Sequence, residues 1–136
     1  MNKIIICLIL IVSISLISNV NAFDNEYANG SVYFNDQKAT VYNANLKVGE
    51  PATIKAVVYL KKNVDVSTGL TATGFRDDDP NQPYKVIEGS SEYIESAREF
   101  GHNAGETVTF EWIICPTDVA AGWSIPLNID FTFYDR

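Results

Sequence analysis

The sequence predicts an all-β protein, a single antiparallel β-sandwich of immunoglobulin-like type that follows a cleaved N-terminal signal peptide. Apolar and polar residues alternate with a period of two along most of the chain. Turn-forming residues separate about six or seven such runs, and one stretch alone has helical spacing. These two observations favour a sandwich, and a small β-barrel is the competing architecture.

Residues 1–22 have the pattern of a secretory signal peptide. Lys3 supplies the positive start, an apolar and serine-rich run follows, and Ala22 ends a small-residue cleavage site. The apolar run is shorter than the roughly 20 residues of a stable membrane anchor, which is the alternative. We therefore expect a mature chain that begins at Phe23, forms one domain over residues 23–136 and contains no direct membrane span.

The charge of the chain limits its partners. Its 17 acidic and 10 basic side chains give a formal net charge of -7, and removal of Lys3 makes the mature chain more negative. Such a charge repels phosphate backbones, so we expect no nucleic-acid partner. Cys115 is the one cysteine of the mature chain, which excludes an internal disulfide.

The first half of the mature chain reads as short strands joined by turns. Residues 31–34 and 39–46 are predicted to pair across the turn at 35–37. Gly49 and Pro51 form the next turn, and the β-branched run at 53–59 predicts a core strand.

The middle of the chain is more irregular. Residues 61–81 contain glycines, threonines, consecutive aspartates and a proline, which predicts a loop with one edge strand at 69–73. A strand follows at 84–88. Residues 90–100 predict one or two helical turns, because a serine cap candidate precedes apolar residues spaced by four and three.

Two strong strand patterns close the sequence. Residues 107–115 are strongly apolar, and we expect Trp112 to be the core tryptophan of the sandwich. Residues 125–134 have the clearest alternation in the chain, with the apolar residues Leu127, Ile129, Phe131 and Phe133 on one side.

Several short motifs, in this order, resemble the archaeal sarcinarray family. They are Leu46-Lys47-Val48-Gly49-Glu50-Pro51, Tyr84-Lys85-Val86-Ile87-Glu88-Gly89-Ser90, Glu111-Trp112 before Pro116-Thr117, and Gly122-Trp123-Ser124-Ile125-Pro126-Leu127-Asn128-Ile129. These proteins are secreted and are encoded as tandem paralogues in methanogens. The resemblance covers residues 31–133 and implies an exported immunoglobulin-like protein of the cell exterior with no established enzymatic activity.

The residues that often carry catalysis are few. His102 is the only histidine and lies in a polar glycine-rich loop, so we interpret it as a solvated loop residue. Cys115 ends an apolar strand with no basic residue nearby in sequence, which favours burial as a small hydrophobe over an intermolecular disulfide. No catalytic signature occurs, although paired carboxylates gathered in a cleft remain the enzyme alternative. We predict that the protein is not an enzyme.

Two further sites are candidates for ligands. Asp77, Asp79 and Asn81 repeat the alternate oxygen ligands that open many calcium loops, but the glycine of the full signature is replaced by Gln82. The alternative is a solvated acidic loop. Trp123 follows a small-residue loop and either stacks on a ligand such as a glycan or packs over the end of the sandwich.

The sequence therefore predicts a secreted, non-enzymatic structural or adhesion module at the cell surface or in the extracellular space. Its expected partners are other cell-surface proteins or paralogues, and it needs no cofactor. The alternative function is an extracellular ligand-binding module, either glycan-binding or calcium-dependent.

Overall fold

The computed structural model describes residues 5–11, 22–39, 41–76, 79–89 and 97–136. Within these residues the chain is built from strands and one short 3-10 helix, with no α-helix. The strands are β1 (Ile5–Ile11), β2 (Phe23–Asp24), β3 (Ala28–Phe34), β4 (Gln37–Ala39), β5 (Val41–Lys47), β6 (Ala52–Leu60), β7 (Val64–Ala72), β8 (Tyr84–Gly89), β9 (Ala97–His102), β10 (Thr107–Pro116) and β11 (Ser124–Asp135). The 3-10 helix spans Asp118–Ala120.

The strands form two sheets. Sheet A has the order β5-β1-β11-β7-β9, and sheet B has the order β2-β3-β6-β10-β8, with β4 also paired to β3. The pairs are antiparallel except β1 and β11, which run parallel. One buried apolar cluster contains residues of both sheets, as in a β-sandwich. The predicted all-β, antiparallel fold is confirmed at this level.

The core follows the alternation of the long strands. In β6 and β10 every second residue is buried, and Trp112 is fully buried with Phe110 beside it. In β11 the buried residues Ile125 and Leu127 are followed on the same side by the half-buried Ile129, Phe131 and Phe133. The predicted core strands and the predicted core tryptophan are confirmed.

The prediction of a loop over residues 61–81 is wrong in its first half. Residues Val64–Ala72 form β7, which lies inside sheet A between β11 and β9 and is not an edge strand. Its buried positions include Val64, Val66 and Leu70, so a period of two was present. Threonine and glycine between these residues obscured the period. Pairing with a strand on each side stabilises an extended conformation that the local sequence favours only weakly.

The predicted helix is also wrong where the structure describes it. Ala97–His102 form β9, paired antiparallel to β7, and residues 90–96 lie outside the described residues. A helix of one or two turns is marginal by itself, whereas the free edge of β7 offers a row of backbone partners. β9 contains an irregularity opposite Asp65, where Gly101 adopts a positive φ of 74°.

The predicted pairing of residues 31–34 with 39–46 is correct only for its first part. β3 and β4 form a hairpin whose two turn residues, Asn35 and Asp36, have φ values of 45° and 65°. Two positive φ values in a two-residue loop suit the twist of a hairpin. β5, in contrast, belongs to sheet A, so the predicted strand 39–46 is divided between the two sheets.

The apolar run of the predicted signal peptide contributes β1, which lies between β5 and β11 in the full chain. Ala22, the predicted last residue of the leader, is buried, and its N–H donates to the carbonyl oxygen of Gly30 at 2.6 Å. Removal of residues 1–22 stays a prediction. Among the described residues, no helix has the length and apolar character needed to cross a membrane.

Candidate functional site

Four connections meet at one end of the sandwich, which we call the loop end. They are the turn at 35–36, the turn at 48–50, the segment 73–83 and the segment 117–123. Residues 77–78 of the segment 73–83 lie outside the described residues. Backbone hydrogen bonds hold them to the strands and to one another. Gly49 N–H donates to Pro116 O at 3.0 Å, Thr117 N–H donates to Pro83 O at 2.8 Å, and Thr73 N–H donates to Pro126 O at 2.9 Å.

The segment 117–123 presents Trp123 to solvent. A single 3-10 turn over Asp118–Ala120 follows β10, and Ala121 N–H donates to Asp118 O at 3.2 Å. Gly122 then adopts a positive φ of 82°, a conformation that glycine takes without strain, and the chain enters β11. Trp123 is 72% exposed, which places it on the surface and not over the end of the core.

Two further apolar side chains are exposed on the loop end. Val119 is 44% exposed on the 3-10 turn, and Val48 is 38% exposed on the β5–β6 turn. Sequence reasoning missed both residues, because a single valine in a turn carries no signal of its own. Apolar side chains on loops that a rigid sandwich holds in place are suited to contact a partner surface.

The described part of the acidic loop is organised by hydrogen bonds of its own. Asn81 N–H donates to Asp79 Oδ1 at 2.8 Å. The buried Gln82 donates its side-chain amide to the carbonyl oxygens of Arg76, at 2.6 Å, and Asp79, at 3.0 Å. Thr117 Oγ1 donates to Gln82 O at 2.6 Å, which joins the loop to the end of β10. Gln82 therefore holds the acidic loop in its conformation. In the sequence it was visible only as the residue that replaces the glycine of the calcium motif.

The predicted calcium ligands are only partly described. Asp77 lies outside the described residues, Asp79 is half-buried and Asn81 is exposed. Across the described part of the chain, no group of three or more histidine, cysteine, aspartate or glutamate side chains is placed to hold a metal ion. Calcium binding stays a prediction.

Cys115 is not in the core, so its predicted burial as a small hydrophobe is wrong. It is half-buried on the outer face of sheet B, because Ile114 and Pro116 on either side of it point inward. The register places Lys85 of β8 opposite Cys115. The sequence analysis missed this neighbour, since the two residues come together only through strand pairing.

His102 lies at the opposite end of the sandwich from Trp123. Its Nδ1 is 3.2 Å from Glu106 Oε2, and the same carboxylate oxygen accepts the Asn103 N–H at 2.6 Å. The hydrogen bond from the Asn103 backbone holds the pKa of Glu106 below its usual value, and the contact with His102 acts in the same direction. Arg136 Nη2 donates to His102 O at 2.8 Å, which ties the chain end to this loop.

The same end carries a second charged group around Tyr27. The Tyr27 hydroxyl donates to Asp135 Oδ2 at 3.4 Å, and Lys62 Nζ lies 4.7 Å from the centre of the Tyr27 ring. The negative charge of Asp135 raises the pKa of Tyr27, with Glu26 adding to the effect. Lys62 donates to Glu26 Oε2 at 2.9 Å, and this hydrogen bond raises the pKa of Lys62. These exposed contacts join strand ends.

No protein-family model, curated protein or solved structure matches this chain.

Proposed function

We propose that this protein is a secreted, non-enzymatic module of the cell exterior that makes protein contacts through its loop end. The proposal includes export through a signal peptide cleaved after Ala22 and an immunoglobulin-like type of sandwich. The leader pattern of residues 1–22 supports export. The two facing sheets and the resemblance to the sarcinarray family support the fold type and a role at the cell surface.

The exposed indole of Trp123 is the observation that carries the proposal. An aromatic side chain that is 72% exposed has a large apolar area open to water, and Val119 and Val48 add to it on neighbouring connections. Tryptophan is among the residues that dominate protein interfaces, because its ring buries much area at a small entropic cost. The hydrogen bonds of Gly49 and Thr117 hold these connections in place before a partner arrives.

The experiment is native mass spectrometry and chemical crosslinking of the protein collected from outside its own cells. Trp123→Ala is compared with Tyr59→Ala, which removes an aromatic side chain that is 45% exposed on the outer face of sheet B. We expect complexes with surface proteins or paralogues that Tyr59→Ala retains and Trp123→Ala loses. A wild-type protein that remains a free monomer with no crosslinked partner would contradict the proposal.

The second candidate is an extracellular ligand-binding module, either glycan-binding or calcium-dependent. The exposure of Trp123 also favours it, because an open indole face stacks on the apolar face of a sugar. Binding of an oligosaccharide would then quench the emission of Trp123 and leave that of the buried Trp112 unchanged. Comparison of the quenching in wild type and Trp123→Ala separates this candidate from a protein contact.

A further inference from the structure

Strand β1 lies between β5 and β11, two strands of sheet A that are not neighbours in the strand order. All seven residues of β1 pair antiparallel with β5, from Ile5 opposite Lys47 to Ile11 opposite Val41. On its other side β1 pairs parallel with β11, from Cys7 opposite Ser124 to Leu10 opposite Leu127. The register of β11 with β7 begins only at Leu127, so residues 124–126 have β1 as their strand partner.

The described core residues that β1 pairs with are apolar. The register sets Ile6 opposite Leu46, Leu8 opposite Ile125 and Leu10 opposite Leu127. Leu46, Ile125 and Leu127 all belong to the buried core. A strand at this position therefore completes the backbone pairing of β5 and β11 beside buried apolar residues of both strands.

Both ends of β5 are held by sheet B, which keeps β5 away from β11. Before β5, Ala39 of β4 pairs with Val32 of β3. After β5, Gly49 N–H donates to Pro116 O at 3.0 Å, and the chain continues into β6. Direct pairing of β5 with β11 would require a shift of about 4.8 Å, the spacing of neighbouring strands, against these attachments.

We propose that cleavage of the leader opens this position as an acceptor groove for an extended aliphatic segment donated by another exported protein. The inference rests on the cleavage of residues 1–22 that is part of the proposed function. The donated segment runs parallel to β11 and antiparallel to β5, and it carries aliphatic side chains at the alternate positions that face Leu46, Ile125 and Leu127. Addition of a strand supplies backbone hydrogen bonds for affinity, and the alternate side chains supply specificity.

The test uses the chain secreted with its own leader, after its intact mass has shown that it begins at Phe23. The probe is a synthetic peptide of residues 5–11 with Cys7→Ser and flanking lysines for solubility. Hydrogen exchange is followed at the backbone amides of residues 41–47 and of residues 124, 125 and 127, since Pro126 has no N–H. We expect the peptide to slow exchange there by at least about tenfold.

Two variant peptides provide a matched control. Leu8→Gln changes a position opposite the buried Ile125, and Ile9→Gln changes the next position, opposite the half-buried Pro126. We expect the Ile9→Gln peptide to protect the amides and the Leu8→Gln peptide to fail. Equal protection by both peptides would overturn the proposed groove, because non-specific binding does not distinguish the two faces of a strand.

The remaining outcomes also decide the matter. Protection of the same amides without any peptide, through closure of β5 onto β11 or through a second copy, would overturn the proposal. Retention of residues 1–22 in the secreted protein would overturn both the cleavage and the groove. If the secreted chain begins at Phe23 but the peptide does not slow exchange, the groove is contradicted. The proposed loop-end contact is not affected by that result, because Trp123→Ala tests it separately.

Discussion

The aromatic ring of Phe23 lies over Gly30, so closely that a Cβ atom at position 30 would overlap it. The two residues are directly opposite each other in the β2–β3 pair. The same ring lies 4.9 Å from that of Phe131, centre to centre, although Phe131 belongs to the other sheet. Phe23, the predicted first residue of the mature chain, therefore links the two sheets, and Gly30 provides the space for its ring.

Gly30→Ala is expected to destabilise the protein by about 1–3 kcal/mol, because the added methyl group overpacks the space that Phe23 occupies. The measurement is the free energy of unfolding from urea titration. The smaller side chain of Phe23→Leu should relieve the overlap, so Gly30→Ala should cost less in that background. An equal cost in both backgrounds would show that the ring of Phe23 is not the cause.

The two tryptophans should respond differently to substitution. Trp112→Ala removes a fully buried side chain and is expected to cost about 3–5 kcal/mol of unfolding free energy. Trp123→Ala removes an exposed side chain and should change the same quantity by no more than about 0.5 kcal/mol. A large loss of stability in Trp123→Ala would mean that the ring packs on the loop end and is not available to a partner.

The calcium alternative makes a prediction for the loop that follows β7. If calcium binds there, its addition raises the melting temperature of the mature chain, and Asp77→Asn or Asp79→Asn reduces that rise because a charged ligand is lost. Asp118→Asn is the control, since Asp118 lies at the same end but on the 3-10 turn. A melting temperature that calcium does not change, or a rise that all three variants retain, contradicts binding at this loop.

Glu106 should make stability depend on pH in the acid range. The pKa of Glu106 is lower in the folded chain than the usual value of a glutamate, chiefly because the carboxylate accepts the Asn103 N–H. A group with a depressed folded pKa contributes stability that is complete above its unfolded pKa and is lost as pH falls through the folded pKa.

Glu106→Gln should therefore reduce the loss of stability in the range below about pH 4.5, measured as melting temperature against pH. Glu50→Gln serves as the control, because Glu50 is an exposed residue of the β5–β6 turn. Identical acid profiles for wild type and Glu106→Gln would show that the contacts of Glu106 do not contribute to the folded state.

Sequence reasoning was most successful where one strand has one buried face. The alternation in β6, β10 and β11 predicted their strands and the burial of Trp112, because a period of two translates directly into inward and outward positions. It failed for β7 and β9, whose threonine, glycine and charged residues have weak local preferences. Pairing with neighbouring strands determined their conformation, and that pairing depends on residues distant in sequence.

The candidate site follows the same division. The sequence identified Trp123 and the acidic loop by residue type, but it left open whether the ring packs on the core or faces solvent. The hydrogen bonds of Gly49, Thr117 and Gln82 bring separate connections together. In the resulting arrangement the ring of Trp123 faces solvent. Val48 and Val119 become part of the surface only through the same assembly.

By itself, the sequence determined the all-β class, the main core strands, the core tryptophan and the acidic charge, because these follow from composition and from local periodicity. The tertiary structure alone decided the order of strands in the two sheets, the outward position of Cys115 opposite Lys85 and the place of β1 between β5 and β11. These features depend on contacts between residues far apart in the chain. Such contacts form only when both sheets bury their apolar faces against each other, and no local pattern encodes which strands then become neighbours.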